Sequence, residues 1–321
     1  MPSEQLFEIA RLTFDVPGLR GVECIETEAR SIINRVPGNS MPFDWTINPY
    51  RGCVHACVYC FARPTHTYLD MDAGRDFETK IVVKVNAPEV LRRELAAKRW
   101  KGEHIAMGTG TDPYQRVEGR YRLMRGIIEA LIDHHNPFSI LTKGTVITRD
   151  LDLLVRAADV APVSAAFSIG TLDEQVWRST EPGTPSPRAR IEALRTLVDA
   201  GIETGVLIAP ILPGISDGPD QIRAVVEAAL DAGASHVSPI MLHLRPGVRE
   251  EFMPWLAEHH PDLVERYERL YRTPYGPKAS RDALASAVQQ AGRGRAPERG
   301  RAMRSRTPAP PPTPAEQLPL F

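Results

Sequence analysis

Short apolar runs alternate with amphipathic stretches of helical length from about residue 45 to residue 242. This alternation is typical of parallel strands joined by helical crossovers, so it predicts an α/β protein. The candidate strands are residues 45–48, 80–85, 104–108, 138–142, 163–169, 204–209 and 236–242. Seven strands are too few for an eightfold barrel. We therefore expect a partial, open parallel (β/α) barrel of the TIM type, with its chemistry at the carboxyl ends of the strands.

Helices are predicted between these strands. The clearest helical stretches are residues 88–100, 188–200 and 220–232. The first carries Val90, Leu91 and Leu95 at core spacing, and the other two are followed by Gly201 and Gly233, as is typical of helix C-termini. These features support helical crossovers rather than hairpins.

We expect four parts: an N-terminal wrapping segment (1–43), the partial barrel (44–247), a helical extension (248–290) and a C-terminal tail (291–321), of which composition sets off the tail. Residues 292–307 hold six arginines against one glutamate, and a proline-rich stretch follows. A segment with so few apolar residues cannot offset its ordering entropy by burial, so we expect a disordered tail.

The chain has no run of roughly 18 uninterrupted apolar residues and no basic-then-apolar N-terminus. We therefore expect a cytoplasmic protein without a membrane span. Three of its four cysteines lie within eight residues, which is a poor disulfide framework but a good arrangement for holding a metal in a reducing compartment.

Cys53, Cys57 and Cys60 are spaced Cys-x3-Cys-x2-Cys, directly after the first predicted strand. Three thiolates on one loop can ligate three irons of a cubane cluster and leave the fourth iron open to an outside ligand. The alternative is a structural zinc site, which needs a fourth ligand such as Cys24, His55 or His66. Zinc sites usually pair their cysteines in two separate hooks, so the single triplet favours the cluster.

The stretch NPYRGCVHACVYCFAR, residues 48–63, resembles the radical S-adenosylmethionine superfamily and, within it, the spore photoproduct lyase-like branch. Later segments resemble that branch in order and spacing: residues 108–115 with Glu118, 141–144, 167–170, 181–192 with Thr184 and Arg190, and 207–214. The resemblance implies a [4Fe-4S] cluster that reductively cleaves S-adenosylmethionine to a 5'-deoxyadenosyl radical. It also implies an external electron donor.

The resemblance further implies contacts to S-adenosylmethionine from Thr111, Asp112, Lys143, Ser168, Arg178 and Glu181. Lys143 suits a carboxylate, since an ammonium makes charge-assisted hydrogen bonds, and the Ser168 hydroxyl suits a ribose oxygen. Arg178 and Glu181 could instead form an exposed ion pair. Both readings stay open at this stage.

The chain departs from the lyase pattern at one point. The lyase branch has a hydrogen-donating cysteine on the strand and loop that match residues 107–112, where this chain has Gly-Thr-Gly at 108–110. Cys24, Tyr59 or Tyr114 could relay hydrogen instead. We therefore expect repair or modification of nucleic acid rather than that specific lyase reaction. The alternatives are a radical enzyme for a protein or small molecule, and a non-enzymatic zinc or iron-sulfur nucleic-acid adaptor.

The last residues resemble the bacterial sliding-clamp-binding pentapeptide, with Gln317, Leu318, Leu320 and Phe321 as its anchors. A short apolar segment on a flexible tether suits transient docking. The arginine-rich residues before it would attract the phosphate backbone without reading sequence. Together they predict DNA and a sliding clamp as partners.

Overall fold

The computed structural model describes residues 6–38 and 41–294. Within this part of the chain the strands form two sheets. The strands are β1 (Leu6–Thr13), β2 (Glu23–Ala29), β3 (Ile33–Arg35), β4 (Trp45–Ile47), β5 (Tyr50–Arg51), β6 (Lys80–Lys84), β7 (Ile105–Met107), β8 (Phe138–Thr142), β9 (Val163–Ser168), β10 (Glu203–Ile211) and β11 (Val237–Met241).

The larger sheet has the order β11-β10-β9-β8-β7-β4-β3. Its strands pair in parallel from β4 to β11, and only β3 joins antiparallel, at the β4 edge. Every residue of β7 is buried, as expected for a central strand covered on both faces. The prediction of a partial, open parallel barrel is confirmed, and the carboxyl ends of its strands share one edge.

Helices pack against this sheet and follow most of its strands. They are α1 (Arg75–Thr79), α2 (Ala87–Leu95), α3 (Glu118–Tyr121), α4 (Leu123–Asp133), α5 (Leu151–Val160), α6 (Glu174–Thr180), α7 (Pro187–Asp199), α8 (Pro219–Asp231), α9 (Arg249–His259), α10 (Val264–Leu270) and α11 (Lys278–Ala291). Short 3-10 helices span Arg63–Leu69, Thr145–Asp150 and Pro261–Leu263.

The predicted helices 188–200 and 220–232 are confirmed as α7 and α8, each shifted by one residue. Pro187 occupies the first turn of α7, and the Ser186 hydroxyl accepts a hydrogen bond from the Ala189 N–H at 3.2 Å. The first predicted helix ends five residues early, at Leu95. Beyond it, Trp100 packs edge-on against Trp45 and donates to Asn136 at 2.7 Å, which holds the chain out of the helical path.

The predicted strand 80–85 forms, but it does not belong to the barrel. As β6 it pairs in parallel with β2 and antiparallel with β5, in a separate four-stranded sheet of order β1-β2-β6-β5. Among the described residues the barrel therefore has six parallel strands rather than seven. The apolar pattern identified the strand, but pairing depends on residues before position 44, which were expected only to wrap the barrel.

In the described part of the chain, no helix combines the length and the apolar character that crossing a bilayer requires. The predictions for residues 295–321, including most of the arginine-rich segment and the clamp-binding residues, lie outside the described residues.

Candidate active site

The cysteine loop, residues 52–63, leaves the carboxyl end of β4 by way of the short strand β5. Cys53 and Cys57 are buried and Cys60 is half-buried, and all three thiols are free. The loop begins at Gly52, which has a φ of +77°. A Cβ there would lie 2.9 Å from backbone oxygens of both Phe77 and Lys80, so this entry into the loop requires glycine.

A single buried amide fixes the backbone on both sides of Cys53. Gln115 accepts a hydrogen bond from the Val54 N–H at 3.0 Å and donates to the Gly52 carbonyl at 3.0 Å. The Thr111 hydroxyl donates to the same carbonyl at 2.7 Å. Gln115 was not predicted as a site residue, although it ends the segment 108–115. Thr111 was predicted to contact S-adenosylmethionine, and in the structure its hydroxyl supports the loop backbone.

A buried arginine performs the same task at Cys57. Arg63 donates from Nε and Nη2 to the Cys57 carbonyl at 3.1 and 3.0 Å, and from Nη1 to the Ala73 and Gly74 carbonyls. Its guanidinium also pairs with Glu78. Burying a charge is tolerable only when its donors are satisfied, as they are here. The sequence offered no signal for this role beyond the presence of Arg63 at the end of the motif.

Asp112 joins the cysteine loop to the end of β8. Its carboxylate accepts from the Tyr114 N–H at 2.9 Å, the Thr142 hydroxyl at 2.6 Å and the Lys143 N–H at 2.6 Å, and it lies 3.4 Å from His55 Nδ1. Burial raises the pKa of Asp112, but the His55, Lys143 and Thr142 contacts outweigh it and hold the pKa at about 2. The carboxylate is therefore ionised and engaged with the protein, which makes it a positioning group.

Lys143 and Ser168 meet where β8 and β9 end. The Lys143 ammonium donates to Ser168 Oγ at 2.8 Å, and that hydroxyl donates to the Ala209 carbonyl at 2.7 Å. The ammonium also lies 5.7 Å from the centre of the Tyr59 ring. An ammonium has three N–H donors and Ser168 takes one, so within the described residues Lys143 keeps donors for a ligand carboxylate.

Glu181 is buried in a network of protein partners. It accepts hydrogen bonds from the Tyr59 hydroxyl and from Arg190, whose guanidinium also donates to the Ser168 carbonyl at 2.8 Å. Burial raises the pKa of Glu181, but Arg190, Lys143 and Tyr59 outweigh it and lower the pKa below its usual value. Through its hydrogen bond with Tyr59, the Glu181 carboxylate connects the cysteine loop to the turn between α6 and α7.

Arg178 lies on the surface of α6. It forms an exposed ion pair with Glu174 at 3.3 Å and stacks over the Trp177 ring. The predicted alternative of an exposed ion pair between Arg178 and Glu181 does not form, because Arg178 pairs with Glu174 and Glu181 is buried. The contact to S-adenosylmethionine predicted for Arg178 gains no support from this position.

The turn after α6 closes over the cysteine loop. The Gly183 N–H donates to the His55 carbonyl at 3.1 Å, and the Val58 N–H donates to the Thr180 carbonyl at 3.1 Å. A Cβ on Gly183 would lie 2.0 Å from the Val54 carbonyl oxygen, so any side chain there would displace the loop. On this side the loop is therefore held by backbone contacts, in addition to the hydrogen bond between the Tyr59 and Glu181 side chains.

Two of the three side chains proposed as hydrogen relays lie outside the cysteine loop. Cys24 is fully buried in β2, opposite Ile81 of the smaller sheet, and burial raises its pKa to about 11. The Tyr114 hydroxyl donates to Asp150 at 3.2 Å in a buried network behind the site. Tyr59 is the only one of the three proposed hydrogen relays that lies in the cysteine loop.

Three free thiols on one loop fit a cubane cluster, which takes one thiolate at each of three irons. Across residues 6–38 and 41–294, no three side chains of His, Cys, Asp or Glu converge as one metal ion requires. A zinc ion draws four ligands to about 2.3 Å or less, whereas a cubane binds each thiolate through a different iron and so keeps its cysteines farther apart. His66, a candidate fourth zinc ligand, instead places Nε2 at 2.9 Å from the Lys80 carbonyl.

The family described as the Radical SAM superfamily matches residues 47–229. The chain belongs to this superfamily and is a radical S-adenosylmethionine enzyme. Its cofactors are therefore a [4Fe-4S] cluster and S-adenosylmethionine, and it depends on an external electron donor.

Two related proteins and one solved structure are similar to this chain over much of its length. An uncharacterized protein of Mycobacterium tuberculosis is 47% identical over 274 residues, which cover 85% of this chain and 81% of that protein. The Radical SAM Nalpha-GlyT isomerase of Pseudomonas phage M6 is 28% identical over 191 residues, covering 59% of this chain and 37% of the isomerase. Spore photoproduct lyase complexed with dinucleoside spore photoproduct superposes with a TM-score of 0.63 at 17% identity, over 89% of this chain and 84% of the lyase. At that identity the likeness shows the fold.

Proposed function

We propose that Cys53, Cys57 and Cys60 hold the [4Fe-4S] cluster and that the enzyme repairs or modifies nucleic acid. The cofactor assignment is carried by one observation: three free thiols share one loop, whose backbone is fixed by Gln115 and Arg63. When bound, the cluster and S-adenosylmethionine supply a 5'-deoxyadenosyl radical. The protein supplies the positions of the groups around it.

The surrounding residues divide this work. Lys143 binds the carboxylate of S-adenosylmethionine, and Ser168 offers its hydroxyl oxygen to a ribose hydroxyl. Both side chains are oriented in advance, since Ser168 is bonded to the Ala209 carbonyl and Lys143 to Ser168. Thr111, Asp112 and Glu181 act indirectly: their hydrogen bonds to the protein hold the cysteine loop and the strand ends in position around the cofactor.

Removal of the Lys143 charge should weaken cofactor binding. We expect Lys143→Ala to raise the dissociation constant of S-adenosylmethionine by about 10- to 100-fold, since a hydrogen bond to a charged group contributes about 1.5–3 kcal/mol. Anaerobic equilibrium dialysis of the reconstituted protein measures this constant. The matched control is Lys98→Ala, an exposed lysine beyond α2. Equal affinities in the two variants would remove Lys143 from the binding site.

Nucleic acid is the substrate class that the observations favour. The fold is shared with spore photoproduct lyase, which has been seen in complex with dinucleoside spore photoproduct. The sequence adds six arginines in residues 292–307, which favour DNA as a partner, and a C-terminus that resembles a clamp-binding peptide, which favours the sliding clamp. A cytoplasmic location remains part of the proposal. The clamp is tested by measuring binding of the purified sliding clamp to the protein with and without residues 317–321.

Substrate class is tested by coupling to S-adenosylmethionine cleavage. We expect ultraviolet-irradiated DNA, added to the reduced, reconstituted enzyme, to raise 5'-deoxyadenosine formation above the rate without DNA and to yield an altered nucleotide by mass spectrometry. Undamaged DNA of the same sequence separates repair from modification. If neither DNA changes the rate, the alternative of a protein or small-molecule substrate takes its place.

A further inference from the structure

A cluster of basic and aromatic side chains follows the last strand of the barrel. It consists of His243, Arg245, Tyr275 and Arg281, and we refer to it as the basic patch. Arg245 donates to the Tyr275 hydroxyl at 2.6 Å, and its guanidinium lies 5.5 Å from the centre of the Tyr275 ring. The His243 ring packs edge-on against the same tyrosine at 4.8 Å. Tyr275 thus organises the patch and is itself 42% exposed.

The positive charge of the patch is not balanced by carboxylates. Neither Arg245 nor Arg281 forms an ion pair with Asp or Glu in the part of the chain that the structure describes. Burial lowers the pKa of His243, and the charges of Arg245 and Arg281 lower it further. Two guanidinium groups therefore act on one neutral imidazole, and an anion bound there would relieve their mutual repulsion.

A cavity of about 330 Å³ opens beside the patch. It is lined by Pro239, Ile240, Met241, His243, Arg281 and Leu284. The lining combines one guanidinium and one imidazole with apolar side chains, and the partly exposed Tyr275 ring packs against His243. This combination fits a chain of alternating phosphates and flat rings, because arginines neutralise phosphate and aromatic side chains stack on bases.

The patch is linked to the cysteine loop by one short segment. Leu242 and Leu244 are buried in the same apolar cluster as Cys57 and Tyr59. His243 and Arg245, on either side of Leu244, belong to the patch, and both are more exposed than the two leucines. A ligand held by the patch would therefore lie beside the active site rather than in it.

We propose that the basic patch binds the phosphodiester backbone of the nucleic-acid substrate, at nucleotides that flank the reacting one. This inference rests on the proposed function and adds the place where the substrate is held. Phosphate contacts fix position without reading sequence. Binding energy from these non-reacting nucleotides would then be used to hold the reacting one at the cofactor.

Salt dependence of DNA binding tests the proposal. The probe is a fluorescein-labelled single-stranded 20-mer of mixed sequence, titrated with the full-length protein at several potassium chloride concentrations. We expect Arg245→Ala/Arg281→Ala to weaken binding about tenfold or more and to reduce the slope of log K against log salt by about 1.4, or 0.7 per lost phosphate contact. The charge-matched control is Arg156→Ala/Arg223→Ala, on the outer helices α5 and α8, which should leave the slope unchanged.

Photocrosslinking locates the contact independently. An oligonucleotide containing 5-bromouracil should crosslink to the tryptic peptide of residues 273–278, which holds Tyr275, and polyglutamate should not compete. Equal slopes for both double variants, or crosslinks confined to other peptides, would overturn the proposal, and competition by polyglutamate would favour an acidic protein partner. Formation of 5'-deoxyadenosine without DNA reports on the cofactor site alone. If DNA stimulates turnover while the patch variants bind it normally, the patch fails and the proposed function stands.

Discussion

Replacing Cys57 by alanine should reduce 5'-deoxyadenosine formation to the level of a blank without enzyme, whereas replacing Cys24 by alanine should leave it at the wild-type rate. Cys57 supplies one of three thiolates in the proposed cluster site, and the only thiols in the loop are those of Cys53, Cys57 and Cys60. Cys24 lies in the other sheet, buried opposite Ile81. The same loss is expected for Cys53→Ala and Cys60→Ala.

The measurement combines product analysis with cluster content. Each loop variant, reconstituted without oxygen, should show less iron and acid-labile sulfide than the wild type and a changed electron paramagnetic resonance signal after reduction. Cys24→Ala should retain the full cluster, because the substitution only removes a buried sulfur from an apolar core. If any one of the loop variants retained a normal cluster and turnover, that cysteine would not be a ligand, and the three-cysteine site would be rejected.

The strands and the cysteine motif could be predicted from the sequence because both are local patterns. Apolar runs mark strands wherever they pair, and the spacing of Cys53, Cys57 and Cys60 is visible in eight residues. Pairing is not local, which is why residues 80–85 were predicted as a strand of the barrel and instead form β6 in the smaller sheet.

The supporting contacts were beyond prediction for a related reason. Gln115 reaches the backbone of Val54, 61 residues earlier, and Arg63 reaches carbonyls that only the folded loop brings together. Polar residues of this kind carry no periodicity, and their burial is decided by tertiary packing. The ion pair of Arg178 with Glu174 spans one helical turn and was open to local prediction, although Glu181 was the partner named from the sequence.

The pair of Glu181 and Arg190 should be the most sensitive point in the fold around the site. Both side chains are buried, and Arg190→Met would leave the Glu181 carboxylate without its main countercharge. We expect a loss of about 3–5 kcal/mol in the free energy of unfolding, measured with urea, because removing one partner leaves a buried charge uncompensated. The exposed pair of Arg223 and Asp220 is the control, and Arg223→Met should change stability by about 0–1 kcal/mol.

A second substitution and a change of pH show whether charge is the cause. In the wild type the pKa of Glu181 is lowered, so the stability it contributes is present above the pKa of an unfolded glutamate and is lost as the pH falls through the folded value. Without Arg190 the folded pKa should instead be raised. The defect of Arg190→Met should therefore be largest near pH 7 and diminish toward pH 4, and Glu181→Gln/Arg190→Met should recover part of it at pH 7. A defect that is equal at both pH values would identify lost packing, rather than the unpaired carboxylate, as its source.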